Sequence, residues 1–454
     1  MKTQTLFNLT ARFVVLFVVL FAALVMATAA QLVAGGSEIP AKPQDHPIVL
    51  VGGTIHPVSG PEIPGGMILF DKGKITAIGT NLTLPPNTER IDVTGKHVYP
   101  GLVLATSTTG LNEIGSVRAT RDAVETGTIN PNIRAEAGVN PESEIIPVTR
   151  ANGITIAVTM PGGGVVSGTA AALELDGWTW EEMTLKAPVG LIVNWPSMTI
   201  SRARWERRTE EEQKKEREKQ LEDLKNTFRD ARSYMVAKKA GASGKGPRHD
   251  TDLRWEAMIP VLEGKVPVLL NASDLAQIEA AAAWADREKI RLVIVGGYDA
   301  WRAADLLKAH DIPVIAEPIH ATPSRRWEPY DEPFTLPKKL FDAGVKFCIS
   351  GGGGYENERN LPYRAATAAS YGLPADEALK AVTLYPAQIL GLADRVGSLE
   401  NGKDATLIVT TGNPLEITSN VEMEFIRGKS IPLTSRHTRL NDKYREKYRR
   451  MGIE

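Results

Sequence analysis

The chain has 454 residues, of which 43% are hydrophobic and 24% charged, proportions that exclude wholesale disorder and allow two or three domains or one large barrel with an appendage. Its 53 Lys and Arg stand against 54 Asp and Glu, a net charge of -1, which removes any composition-level case for nucleic-acid binding. One cysteine, Cys348, excludes an intramolecular disulfide framework and a cysteine-based zinc or iron–sulfur site. The seven histidines are scattered, with neither an HxH nor an HxxxH pair among them.

In chain order, Lys2 and Arg12 flank a polar start, and Phe13 to Ala27 runs as fifteen unbroken apolar residues followed by small ones. A membrane span needs about 20 apolar residues, so residues 1–30 read as a cleaved signal peptide, and the mature protein is expected outside the cytoplasm, periplasmic or extracellular, with no stable membrane span after cleavage. Residues 31–44 read as a linker. From residue 45 short apolar runs alternate with Gly and Pro turns, among them Asp71-Lys72-Gly73-Lys74, as in β-hairpins. The same texture returns near the C-terminus, so 45–100 and 391–432 are expected to build one composite β-sandwich.

Between these ends lie eight apolar runs, at 102–106, 154–159, 170–175, 189–194, 267–271, 292–296, 313–317 and 346–350. They are rich in Val, Ile and Leu without strict alternation, as buried parallel strands are, and helical patterns such as Leu275 to Glu288 and Asp299 to His310 lie between most of them. The fold class read from this is α/β, a (β/α)8 TIM-like barrel over 101–390 plus the small sandwich. The run at 170–175 fits least well, because only a short Gly-rich turn separates it from its predecessor.

Residues 201–239 interrupt the rhythm as a charged helical insertion. Glu206 to Gln220 holds no apolar residue, and then Leu221, Leu224, Phe228, Ala231 and Met235 recur at helical spacing. That seam either packs on the chain's own barrel or pairs with a second copy or paralogue to form an oligomer. Residues 433–454 read as a basic C-terminal helix: seven basic residues against two acidic ones lie between Arg436 and Arg450, with Leu440, Tyr444 and Tyr448 on one face.

Several segments resemble the amidohydrolase superfamily, its imidazolonepropionase-like members in particular. They are Lys96-His97-Val98-Tyr99-Pro100-Gly101-Leu102-Val103, Asn152-Gly153-Ile154-Thr155-Ile156, the helix ending Ala381-Val382-Thr383-Leu384-Tyr385-Pro386-Ala387-Gln388-Ile389-Leu390-Gly391, and the return Gly397-Ser398-Leu399-Glu400-Asn401-Gly402-Lys403-Asp404-Ala405-Thr406-Leu407-Ile408-Val409. The resemblance implies a barrel that hydrolyses non-peptide C–N bonds in amides or cyclic ureides with one or two divalent metals that activate water. The superfamily's ligands are an HxH pair on the first strand, often a carboxylated lysine on the fourth, histidines on the fifth and sixth, and an aspartate on the eighth. Here the corresponding positions read Thr106-Ser107-Thr108, a lysine-free Gly190–Trp195, Asn271, Gly296-Gly297 and, after the eighth strand, Cys348-Ile349-Ser350 running into Gly351–Gly354 with no aspartate.

No cofactor and no metal ligand are therefore expected, although zinc or another divalent metal is the superfamily norm. The residues after each strand line a barrel mouth. Thr106, Thr108, Asn194, Asn271, Tyr298, Glu356 and Arg359 are expected to line a pocket for a small polar molecule. Glu317 and His320 are the candidate catalytic pair, a carboxylate and an imidazole able to orient each other. The alternatives are a pocket-containing binding protein that has lost hydrolysis, and a divergent metal-independent hydrolase using Glu317 and His320. Whether the chain is an enzyme stays open at this point. The Gly162–Gly168 turn is expected to offer backbone amides to the mouth.

Overall fold

The structure is a computed structural model that describes residues 39–453 apart from Lys245, Arg248, His249 and Gly353. The expected signal peptide and most of the linker lie outside the described residues. No helix among those described is long and apolar enough to cross a membrane.

Both ends of the chain build one eight-stranded sheet. It takes β1 (Ile48–Ile55), β2 (Ile63–Asp71), β3 (Lys74–Gly79), β4 (Glu89–Asp92) and β5 (His97–Pro100) from the first segment. Eight barrel strands follow, and then β14 (Leu407–Thr410), β15 (Val421–Ile426) and β16 (Lys429–Ile431) complete the sheet. Its order is β16-β15-β14-β5-β1-β2-β3, with β4 beside β1. Asp71 pairs with Lys74 across the expected turn. Phe70 on β2 and Phe425 on β15 stand four strands apart, about 19 Å in a flat sheet, yet their rings meet edge-on at 5.1 Å. The sheet therefore curls over itself around Phe70, Phe425, Leu50, Ile68 and Leu407, giving the two facing layers.

The barrel strands are β6 (Leu102–Ser107), β7 (Ile154–Thr159), β8 (Val166–Glu174), β9 (Thr184–Asn194), β10 (Val268–Ala272), β11 (Leu292–Gly296), β12 (Val314–Ala316) and β13 (Phe347–Ile349). They lie in unbroken chain order, β13 back to β6. The eight strands coincide with the eight apolar runs, but the expected regular βα alternation fails at one place. β8 runs antiparallel to both neighbours. A parallel crossover needs a dozen or more residues, and only residues 160–165 join β7 to β8. The barrel closes indirectly: Val103 N donates to Val382 O at 2.9 Å, and Ile349 N to Ala381 O at 2.9 Å, so residues 381–382 fill the seam between β6 and β13.

Strand alternation sorts the side chains. Val103, Ile156, Ile192, Leu269, Val295, Ile315 and Cys348 fill the barrel interior. Leu102, Leu270, Ile294 and Val314 face the helices outside. Counting two residues on from the inward set aims Asn194, Asn271, Glu317 and Ser350 into the mouth. Gly101 joins sheet to barrel at a close approach: a Cβ there would lie 2.1 Å from Thr155 Oγ1. Gly101→Ala is expected to destabilise the protein by about 1–3 kcal/mol through overpacking, read as a lowered urea midpoint, whereas Gly60→Ala, with open space around it, leaves the midpoint in place.

The insertion forms one helix, Glu210–Ala242, opened by a Thr209/Glu212 capping box. Its apolar seam packs on the chain's own barrel. Phe228 is fully buried and meets Trp284 edge-on at 4.9 Å, and Arg232 pairs with Glu288 at 3.1 Å. The C-terminal helix, Arg436–Arg450, touches the barrel through Arg439 and Glu144 at 2.9 Å. Leu440, Tyr444 and Tyr448 on its apolar face stay exposed.

Candidate functional site

Six side chains meet at the mouth between β6, β12 and β13. Thr106 donates its hydroxyl hydrogen bond to Glu317, and its Oγ1 lies 2.9 Å from Ser350 Oγ. Ser350 Oγ also accepts from Thr106 N at 2.8 Å. Beside them Glu358 accepts from Thr108 N at 2.9 Å and from the Thr109 hydroxyl. Arg364 faces both carboxylates, and each is drawn down by its charge. Glu358 and Arg364 are 4% and 3% exposed.

Burial dominates the electrostatics here. It pushes Glu317 up to about 7 against the opposing pull of the Thr106 hydrogen bond and Arg364. It pushes Glu358 up to about 7 as well, against the Thr109 and Thr108 hydrogen bonds and Arg364. Arg364 is itself lowered by burial and held up by the two carboxylates. One of its guanidinium nitrogens, Nη1, is buried with no hydrogen-bond partner among the described residues, while Nη2 donates to Asn357 O at 3.1 Å. Two carboxyl groups that titrate near neutrality around one guanidinium can accept or give protons at neutral pH.

A second polar cluster lies across the mouth. Asn271 Nδ2 donates to Asn194 Oδ1 at 2.6 Å, and Asn194 Nδ2 donates to Gly164 O and Ser167 Oγ, both at 2.9 Å. The Gly162–Gly168 turn therefore offers carbonyls to Asn194 rather than the expected amides.

Other expected site residues go elsewhere. Glu317 and His320 do not hydrogen-bond to each other: His320 Nε2 lies 2.8 Å from Thr367 Oγ1, and burial and then Arg364 lower its pKa. Tyr298 donates to Glu328 at 2.8 Å, and Arg325 links Glu328 at 2.7 Å to the buried Asp299, so Tyr298 pins the loop after β12. Glu356 is exposed. Arg359 turns away from the mouth and donates to His437 Nδ1 at 2.6 Å. Thr108 enters the cluster through its backbone. The sequence reading missed Thr109, Glu358 and Arg364. Arg364 carried a signal, because it shares the buried face of the helix Leu361–Ser370 with Leu361, Ala365 and Ala368.

Comparisons with known proteins agree with this architecture. A family model described as the amidohydrolase family matches residues 338–431, from the helix before β13 through the return to the sheet. An amidohydrolase from Thermotoga maritima MSB8 has a TM-score of 0.76 and 28% identity, covering 85% of this chain and 99% of that one. The chain has the fold of the amidohydrolase superfamily and matches its family model over 338–431. A second superfamily relative, the amidohydrolase tasK of Hapsidospora irregularis, is 22% identical over 380 residues, or 78% of this chain, and this chain spans 38% of its length. A Xaa-Pro dipeptidase with bound methionine shares the fold, with a TM-score of 0.53 at 14% identity over 85% of this chain and 99% of that one.

Placed on this superfamily fold, the positions expected to hold a metal carry neutral groups engaged with their neighbours. Thr106 is bonded to Ser350 and Glu317, and Asn271 to Asn194. On the sixth strand a Cβ at Gly296 would lie 2.9 Å from Ser273 Oγ, and one at Gly297 would lie 2.5 Å from Val314 Cγ1. Both glycines also have positive φ, 97° and 63°. A histidine at either position would need the strand end to move. Among the described residues no three His, Cys, Asp or Glu are grouped to hold a metal ion.

Proposed function

We propose that this amidohydrolase-superfamily protein has lost the metal centre and uses its barrel mouth to bind a small polar molecule. A catalytic zinc ion takes three nitrogen or charged-oxygen ligands and keeps one position open. The donors at the superfamily positions are hydroxyls, amides and glycines, and they do not fit that group. Glu317 and Glu358 are the nearby carboxylates, and the Arg364 cation between them opposes a second cation. The carrying observation is that the former ligand positions are bonded to one another, Asn194 to Asn271 and Thr106 to Ser350. The buried Nη1 of Arg364, unpartnered among the described residues, supports a ligand with an acceptor oxygen. The apolar run of residues 13–27 supports an exported setting for this binding.

A second reading is metal-independent hydrolysis of an amide or cyclic ureide. It is favoured by the Glu317 carboxyl near pH 7, which suits general acid–base work. One experiment separates the two. A panel of amides, cyclic ureides and dipeptides is offered to chelator-treated protein, with thermal shift and product formation both recorded. The binding reading expects a ligand that raises the melting temperature without turnover, and expects Arg364→Gln to weaken it about tenfold or more. Turnover abolished by Glu317→Gln would establish the hydrolase instead.

A further inference from the structure

A cavity of about 800 Å³ opens on the face opposite the mouth, at the N-terminal ends of β10 to β13. This end of such a barrel ordinarily serves stability rather than chemistry, and a volume of this size falls within the range of ligand sites. Its walls are apolar: Leu292, Ile312, Val345, Phe347 and Ile389 line it between the strand starts and the surrounding helices.

The rim is charged, and its charges can be paired off. Lys289 meets Asp286 at 3.2 Å and Lys346 meets Asp311 at 2.6 Å. Glu377 takes Lys380 at 2.8 Å and the Tyr385 hydroxyl at 2.5 Å. His310 stands 4.0 Å from Asp286. Arg291 alone among the lining cations has no carboxylate or other side-chain partner among the described residues, and it is exposed to solvent. The helices 275–288, 304–309 and 332–342 end at this face, and their carbonyl ends disfavour anions by about 0.3–1 kcal/mol each. Lys289 and His310 are the residues at the ends of the first two helices, and Lys346 follows the third by four residues. The guanidinium of Arg291 is the charge left over, a planar fork shaped for a carboxylate.

We propose that this cavity binds an amphiphilic monoanion, with its carboxylate on Arg291 and its apolar tail against Phe347, Leu292 and Ile389. The site is separate from the barrel mouth and does not depend on what the mouth does.

Isothermal titration of the full chain with decanoate tests this, with decanol and decyltrimethylammonium as probes of the same tail and a different head. One saturable decanoate site is expected, with much weaker binding of the other two. Arg291→Gln, a surface change that leaves the core alone, is expected to weaken decanoate about tenfold or more, and Arg291→Lys to restore part of the loss. Ala285→Trp, which fills the cavity, is expected to abolish binding with the melting transition retained. Arg364→Gln, at the mouth, is expected to leave decanoate binding unchanged. Equal binding of decanoate and decyltrimethylammonium, decanoate affinity unaltered by Arg291→Gln, or no decanoate binding would each overturn the proposal.

Discussion

Phe228→Ala is expected to destabilise the protein by about 3–5 kcal/mol, the cost of an emptied aromatic site in a packed core. The first eleven residues of the helix Glu210–Ala242 are free of apolar side chains, so they contribute little to docking. The helix is held instead by a short seam, with Leu224, Phe228 and Ala231 buried against the barrel. Phe228 fits edge-on to Trp284, which in turn lies 5.6 Å from Trp195 at the end of β9. Removing the ring would loosen the helix and the loop that leads into it together. Urea unfolding followed by tryptophan fluorescence measures this, because Trp284 and Trp195 report the site directly. Lys225→Ala, on the exposed face of the same helix, is expected to change stability by less than about 0.5 kcal/mol. A Phe228→Ala loss below about 1 kcal/mol would mean that the seam is not an internal one, and would return it to the role of an interface between chains.

Stability is expected to fall as pH rises toward and through 7. Glu317, Glu358 and Glu174 are each raised to about 7 by burial, and Glu424 is raised as well. A raised carboxyl holds its proton in the folded chain at pH values where the unfolded chain, with a carboxyl near 4.5, has released it. Between about 4.5 and 7 the native state therefore binds more protons, and its stability declines by about 1.4 kcal/mol per pH unit for each such group. His56, His320 and His437 are lowered by burial and act in the opposite direction below 6.5. The decline is therefore clearest between about 6.5 and 7.5. Melting temperatures across that window are expected to drop. Glu358→Gln should flatten the slope, because an amide there can still bond Thr109 but does not titrate. A melting temperature that rises across the window would refute this picture of the mouth.

Much of the barrel was legible because buried strands declare themselves as apolar runs. The segments 102–106, 154–159 and 292–296 became strands with almost the same ends. Direction was not legible from the runs, since β8 is buried along its whole length just as the parallel strands of the barrel are. The connection did carry it, because residues 160–165 cannot cross over a sheet. At the site, Asn194, Asn271 and Glu317 were readable because the two-residue period of a strand continues inward to its last residue. Past β13 that period ends. The loop residues Glu356 and Arg359 looked equivalent to Glu358, yet a short 3-10 turn at Tyr355–Asn360 buries Glu358 and turns Arg359 toward His437. Register in an irregular loop is set by tertiary partners such as Thr109 and Arg364, which no local pattern announces.

Incubating the full chain with excess zinc or manganese, desalting it, and counting bound metal by inductively coupled plasma mass spectrometry gives the most direct test of the lost metal centre. The neutral donors at Thr106, Asn194, Asn271 and Ser350 predict well under about half an equivalent retained per chain. About one tightly held equivalent, lost on Thr106→Val or Asn271→Leu, would contradict the account.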